Sequence, residues 1–343
     1  MSKKIQSYTA AKQEGILLNA NESSENLDDD IIAEIQEAMP TIAFNRYPSE
    51  TEHELEAAYA KAKGIDADQV MAGNGSDQML GFLIGRYLGK GKTLYTYSLD
   101  FSMFDYYAST YEADVFKYEI NEDGSFDIDD FIQTGKQRPV DLVVFSNPNN
   151  PTGHVLKVDE VKKIVEGFAP IPVIVDEAYM EFSSHSMLHE VENFENLFVT
   201  RTLSKAYQLA ACRLGFLVTS KKKIPELRSS FVPYALNSVS RKIGTIVLNH
   251  AERFEGKIAE TKAERDQMYD AIKDFQSFRF YPSAANFIYG RCDHKPELLA
   301  LFEQAGIVIR NYDSPAFRLS IGSSAENQMV LHVLEEYERR FGK

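Results

Sequence analysis

Residues 140–145, 172–175 and 196–200 are short runs of β-branched and apolar side chains with almost no polar alternation, and they constrain the fold more than any other feature. A strand with one wet face alternates polar with apolar residues; a run without that alternation belongs to a strand covered on both faces. Each run ends in a polar loop and is followed by a helical pattern. Further strands are predicted at residues 69–72 and 214–219. Strands alternating with helices to about residue 220 imply a mostly parallel sheet between two helical layers, with ligands bound at the strands' C-terminal ends. That rule brings the loops carrying Ser76, Asn147, Asp176 and Lys205 to one edge. After Val232-Pro233, helical patterns over residues 238–276 lead to strands at 278–281, 286–290, 307–310 and 317–321, with a last helix from about Ala325. The expected fold is α/β, a large domain over residues 31–235 with a mostly parallel sheet between helices. A smaller α+β C-terminal domain covers 236–343, and residues 1–30 form an N-terminal arm associated with it.

The loops at that edge share one chemistry. Gly73-Asn74-Gly75-Ser76-Asp77 runs into a helix, so the backbone N–H groups of Gly75, Ser76 and Asp77 can meet an anion at the positive end of the helix dipole. Asn147-Pro148-Asn149-Asn150-Pro151-Thr152-Gly153 is the most specific string, an irregular loop in which Asn147 offers an amide donor. Asp176-Glu177-Ala178-Tyr179 follows the next strand, and Arg201-Thr202-Leu203-Ser204-Lys205, with Arg213 eight residues on, follows the one after. Taken singly, a Gly-rich turn, an acid capping a helix and a solvated Ser-Lys pair are ordinary features. Taken together, an amine, a carboxylate, hydroxyls and an arginine at successive strand ends fit pyridoxal 5′-phosphate (PLP), whose aldehyde, ring nitrogen and phosphate need those partners.

The order of these motifs resembles the fold-type I PLP-dependent aminotransferases, and within them the branch acting on histidinol phosphate, from about Leu17 to the last helix. The resemblance implies that Lys205 holds the cofactor aldehyde and moves the substrate proton, that Asp176 keeps the ring nitrogen protonated, and that Tyr179 and Asn147 meet the ring oxygen. Gly75, Ser76, Asp77, Thr202, Ser204 and Arg213 would hold the phosphate, and Phe104, where the family usually has tyrosine, would stack on the ring. Tyr47, in Arg46-Tyr47-Pro48, would reach the phosphate of a neighbouring subunit, which implies a homodimer with shared sites. Arg318 and Arg310, with Tyr8 and Asn147, would bind the substrate. The implied donor and acceptor are L-histidinol phosphate and 2-oxoglutarate, with an aromatic amino-acid aminotransferase or a PLP-dependent decarboxylase as alternatives. Gln78, Gln208, Ala211 and Cys212 depart from the family's usual residues and bear on substrate preference.

Charge narrows the partners. With 37 Lys and Arg against 51 Asp and Glu the net charge is −14, which disfavours nucleic acid and anionic membranes. Two cysteines make no disulfide framework, no apolar run approaches the roughly 20 residues of a membrane span, and residues 1–20 lack a signal-peptide core, so a cytoplasmic protein without a metal site is expected. A dinucleotide-binding oxidoreductase is disfavoured because Gly73-Asn74-Gly75 lacks that fingerprint's third glycine. Nearer the N-terminus, residues 16–23 read as an arm or loop, and a helix is predicted over 27–39 with Pro40 as its stop. A second helix is predicted behind a Ser49/Glu52 capping box and ends near Gly64.

Overall fold

The computed structural model describes residues 14–49 and 53–342. Its strands, in chain order, are β1 (Ile16–Leu18), β2 (Val70–Asn74), β3 (Thr93–Tyr97), β4 (Asp114–Tyr118), β5 (Leu142–Ser146), β6 (Val173–Asp176), β7 (Leu197–Thr202), β8 (Leu214–Val218), β9 (Phe278–Phe280), β10 (Phe287–Cys292), β11 (Ile307–Asn311) and β12 (Ala316–Ser320). The α-helices are α1 (Asp29–Ala38), α2 (Glu54–Lys63), α3 (Gly75–Tyr87), α4 (Met103–Thr110), α5 (Ile128–Lys136), α6 (Val158–Phe168), α7 (Ile224–Ser230), α8 (Ser238–Asn249), α9 (Phe254–Ile272), α10 (Lys295–Gln304) and α11 (Ser324–Phe341).

The runs without alternation lie where their pattern demands. Seven strands form one sheet in the order β2-β8-β7-β6-β5-β3-β4, parallel throughout except for the two pairings made by β8. Successive residues of a strand point to opposite faces. Val143, Phe145, Val173, Val175 and Val199 enter the core that includes α2, α5 and α6, whereas Leu142, Val144, Ile174 and Phe198 enter the core built with α3 and α4. Both faces are dry, and the polar side chains of β5, β6 and β7, Ser146, Asp176 and Thr200 to Thr202, gather toward the C-terminal ends. β3 and β4 were not evident in the sequence: Thr-Leu-Tyr-Thr-Tyr and Asp-Val-Phe-Lys-Tyr mix polar and apolar residues, β3 being buried between its neighbours despite its hydroxyls and β4 only half-covered at the sheet's edge.

A second sheet of order β1-β11-β12-β10-β9 is antiparallel apart from the parallel β1–β11 pair. Its strands agree with those read from the sequence to within two residues at either end, and its core is filled from α9, α10 and α11. The stretch expected as an arm or loop contributes a strand here: Ile16, Leu17 and Leu18 pair with Ile307, Val308 and Ile309. Three residues are too few for a period to show, and only the exposed edge of β11 makes them a strand. The helical pattern over 238–276 divides at a short turn, and α8 packs on α1 and α2 of the first core before α9 leads to the second sheet. α1 stops at Ala38 with Pro40 in the turn that follows, and α2 ends at Gly64, which takes the left-handed conformation at φ 64°. Glu52 of the anticipated capping box lies outside the described residues.

Candidate active site

β5, β6 and β7 are aligned so that Ser146, Asp176 and Thr200 are direct neighbours across the sheet. The loops leaving these strands therefore emerge side by side, and they line a cleft of about 310 Å³ closed on its other side by residues of the arm and of β11 and β12. Lys205 enters the cleft three residues after β7. Its Nζ donates to the Ala20 carbonyl at 2.7 Å. Burial, joined by the positive charges of Arg318 and Arg213, draws the amine down to about 8, against the pull of Glu22 and Asp77. A lysine so placed is neutral in a far larger fraction near physiological pH than an exposed one.

Asp176 is the last residue of β6 and 4% exposed. Burial pushes its carboxyl up to about 7, while the hydroxyl of Thr200, donating to Oδ1 at 2.8 Å, and the Ala178 backbone oppose the rise. A buried carboxyl with one fixed donor and room on the cleft side suits a cationic ring nitrogen. Tyr179 lines the same wall, and its hydroxyl accepts from Asn21 Nδ2 at 2.9 Å.

The anion cradle forms where α3 begins. Gly75 has φ 80°, and a Cβ on Gly215 would come within 2.0 Å of the Ser76 nitrogen, so the helix N-terminus lies directly on β8 because position 215 has no side chain. Ser76, Asp77, Thr202, Ser204 and Arg213 all face the cleft. Thr202 and Ser204 share a hydroxyl–hydroxyl bond of 2.9 Å, and Arg213 reaches Ser204 Oγ at 3.4 Å and the Asp77 carboxylate at 2.9 Å. Gln78 stands clear of this work, its Oε1 accepting from the Asn74 nitrogen at 2.6 Å. Amine, buried carboxyl and helix N-terminus with hydroxyls and a guanidinium thus share one cleft, and this donor set fits an aldehyde-bearing pyridine phosphate.

On the opposite wall Arg310 and Arg318 are direct partners across β11 and β12, and both line the cleft. Arg318 is buried, with Nη1 on Asn150 Oδ1, Nη2 on the Asn19 carbonyl at 2.9 Å, and its guanidinium over the Phe287 ring. Two guanidinium groups on one wall make a receptor for an anionic substrate group.

Two residues expected at the site are elsewhere. Asn147 is 1% exposed, and its side chain is spent on its own loop: Nδ2 donates to the Leu156 carbonyl at 3.2 Å and Oδ1 accepts from the Leu156 nitrogen at 2.8 Å. Asn150, three residues later in the same string, lines the cleft instead. Phe104 falls in the first turn of α4, which turns it into the α3–α4 core at 1% exposure, while Phe101, just before the helix, lines the cleft and meets Phe104 edge-on. Both corrections have one cause: spacing locates a loop, but only its backbone path decides which residue faces in. Tyr47 does not line the cleft of its own chain; it is 80% exposed and stacked on Tyr234 with ring centroids 4.7 Å apart. Tyr8 lies outside the described residues. Sequence reasoning also missed Thr200, Asn19, Ala20 and Asn21. Thr200 was findable as the polar residue of an otherwise apolar run next to Asp176, whereas Asn19 and Ala20 contribute carbonyls, which no side-chain pattern reveals.

Comparison with known proteins agrees with this geometry. The model of the family described as aminotransferase class I and II matches residues 13–334. The chain is 34% identical over 334 residues to a histidinol-phosphate aminotransferase of Clostridium kluyveri, covering 96% of this chain and 95% of that one. Among solved structures, a histidinol-phosphate aminotransferase from Sinorhizobium meliloti in complex with pyridoxal-5'-phosphate superposes with a TM-score of 0.86 at 20% identity, over 96% of this chain and 92% of that one. An L-threonine-O-3-phosphate decarboxylase from Porphyromonas gingivalis superposes with a TM-score of 0.80 at 20% identity, over 94% and 99%.

Proposed function

The chain belongs to the class I and II aminotransferase family, and on that premise we propose that it is a PLP-dependent transaminase moving the amino group of L-histidinol phosphate to 2-oxoglutarate. The observation that carries the reading is that Lys205, Asp176 and the paired arginines Arg310 and Arg318 share one cleft. PLP, when bound, supplies an aldehyde that takes up the amino group and a ring that withdraws electrons from the carbon beside it.

The protein's own groups do the rest. Asp176 holds a proton at the ring nitrogen, since a carboxylate in a dry site stabilises a cation beside it. Thr200 fixes which oxygen does so. The N-terminus of α3, with Ser76, Thr202, Ser204 and Arg213, would hold the phosphate, leaving Lys205 Nζ in the same cleft to take the aldehyde. Asn150 and Tyr179 would supply polar contacts to the ring, and Phe101 would give it an aromatic surface to pack on. Lys205, neutral in a useful fraction because its amine is drawn down to about 8, would take the proton from the substrate carbon and hold it at Nζ. Arg318 and Arg310 bind the anionic end of donor and acceptor in turn, a phosphate in one and a carboxylate in the other. The arm carrying Asn19 and Ala20 lines the cleft and holds Arg318 and Lys205 through its carbonyls. Two chains would complete two sites, with Tyr47 of each reaching the other. The exposed aromatic patch of Phe44, Tyr47 and Tyr234 supports that assembly.

Measuring kcat/KM for histidinol phosphate and for phenylalanine, in wild type and Arg310→Ala, tests the substrate. The expected result is a wild-type preference for histidinol phosphate and a selective loss for it in the variant, by roughly 2 to 4 kcal/mol of transition-state binding. Equal losses, or a preference for phenylalanine, would make an aromatic amino acid the better substrate. Release of carbon dioxide in place of amino transfer would make the protein a decarboxylase.

A further inference from the structure

Asp100 is a half-buried carboxyl on the cleft wall that the mechanism above does not use. It accepts from the Phe101 nitrogen at 2.7 Å, from the Ser146 nitrogen at 3.1 Å and from the Ser146 hydroxyl. That hydroxyl in turn accepts from the Asn150 nitrogen at 3.0 Å, and Asn149 Nδ2 holds the Leu99 carbonyl at 3.1 Å. The segment before α4, which presents Phe101, is thereby bound to the loop that presents Asn150, and Asp100 is the junction. Ser146 is also the direct cross-strand neighbour of Asp176. One carboxyl therefore touches the supports of three groups at the site.

We propose that Asp100 is a second carboxylate of the cofactor site, a positioning residue that fastens Phe101 and Asn150 and adds negative charge behind Asp176. Three accepted bonds and no donated one suit the anion, because a protonated carboxyl would direct a hydrogen at one of those donors. Burial pushes the group up to about 8, its hydrogen bonds to Ser146 and Phe101 opposing and the like charge of Asp176 adding to the rise. The titratable groups facing it are Asp176 on β6 and Tyr97 on β3, with Asp77, Lys205 and Arg213 on the walls of the same cleft. A cation placed against Asp176 acts in the same sense as the hydrogen bonds and favours the carboxylate. Asp100 and the bound cofactor's cationic form then stabilise each other.

The inference rests on the PLP reading, and the experiment separates the two. Wild type, Asp100→Asn, Asp100→Ser and Ser146→Ala are loaded with PLP. The visible absorbance of the bound cofactor is titrated with pH, and the PLP dissociation constant and melting temperature are measured beside it. Wild type is expected to give a titrating visible band; if it gives none, the cofactor reading itself fails. Both uncharged variants should titrate roughly 1 pH unit lower, because a nearby anion that favoured the protonated chromophore is gone. Ser146→Ala, which breaks the relay to Asn150 and removes one of the bonds favouring the Asp100 carboxylate, should weaken PLP binding and move the titration less than the Asp100 variants do. If the Asp100 variants titrate with wild type and only melt lower, Asp100 is a structural residue and the inference is overturned. Should neither Asp100 variant fold, infrared spectra of wild type at about pH 6 decide: PLP binding is expected to remove protonated-carboxyl intensity equal to two groups, Asp176 and Asp100, and loss of one group's worth overturns the inference.

Discussion

Lys205 and Asp176 are displaced from their ordinary chemistry in opposite directions, each toward the neutral form, and burial is the first cause of both. Lys205→Ala is expected to abolish both the visible band of PLP held covalently by the protein, read after free PLP is removed, and turnover, and a variant that kept either would remove the lysine from its role. Asp176→Asn should bind PLP but lose most of its rate, because an amide cannot hold the ring nitrogen's proton. The same shift gives a stability test on the cofactor-free protein. Asp176 keeps its proton in the folded chain up to about pH 7 but loses it in the unfolded chain near 4, so the folded state is favoured at the acid end and the advantage disappears as pH rises between those values. For a displacement of about three units that is on the order of 4 kcal/mol. Thermal melts of cofactor-free protein should decline from about pH 5 to 7.5, and the decline should flatten in Asp176→Asn. Asn150→Ala should lower kcat by roughly tenfold to a hundredfold with normal melting, whereas Asn147→Ala should lower the melting temperature through its two buried bonds to Leu156. The opposite pattern would return the cofactor contact to Asn147. Which asparagine of the string faces inward was not legible in the sequence, because both stand beside a proline and both have the right amide. Lys205 was legible because a lysine three residues past a buried strand has only one edge to reach.

Helix α3 and strand β8 meet through a glycine, and that contact decides whether the anion cradle exists. Gly215→Ala would push a methyl group against the Ser76 nitrogen and the Gly75 carbonyl carbon. The expected outcome is at least a tenfold rise in the PLP dissociation constant, and unchanged PLP binding would show that the cradle tolerates a displaced helix. Behind the cleft, α2 is tied to the ends of β6 and β7 by a buried ion network: Lys63 with Glu181 at 3.0 Å, and Arg201 with Glu181 at 3.3 Å and Glu177 at 3.5 Å. Removing one charge leaves its partner buried and unpaired, so Lys63→Met should destabilise the protein by roughly 3 to 5 kcal/mol, read as a fall in denaturation midpoint. At this scale the sequence was most informative where burial was complete. The central strands announced themselves because both faces admit only apolar side chains, and the four antiparallel strands of the second sheet because turns separate them. Edge strands β1 and β4 carry no such constraint, since β1 is too short for a period and β4 is only half-covered, and β3 between β5 and β4 hides its burial behind the polar atoms of two threonines and two tyrosines.

Taken whole, the molecule presents its cleft where the two sheets approach each other, and a patch of exposed aromatic residues on a different part of the surface. Phe44, Tyr47 and Tyr234 are 72, 80 and 47% exposed. Aromatic surface of this kind is normally covered by a partner. If the partner is a second copy, mixing inactive Lys205→Ala with inactive Tyr47→Ala chains should restore part of the activity, because a hybrid dimer has one intact site. Confirmed hybrids that stay inactive would show that each chain works alone. The overall arrangement was legible from strand and helix alternation, but the seating of the N-terminal segment was not, because it depends on residues some 290 positions away. That distance bears on how the protein is made. The carbonyls of Asn19 and Ala20, which hold Arg318 and Lys205, follow directly on β1, yet β1 has no partner until β11 has been translated. The seven-stranded sheet is complete by Val218, so a nascent chain can assemble the cofactor-holding half while β1 still lacks its pairing edge. Synthesis thus delivers the strand-end loops of the cleft well before the edge that seats Asn19 and Ala20 against them.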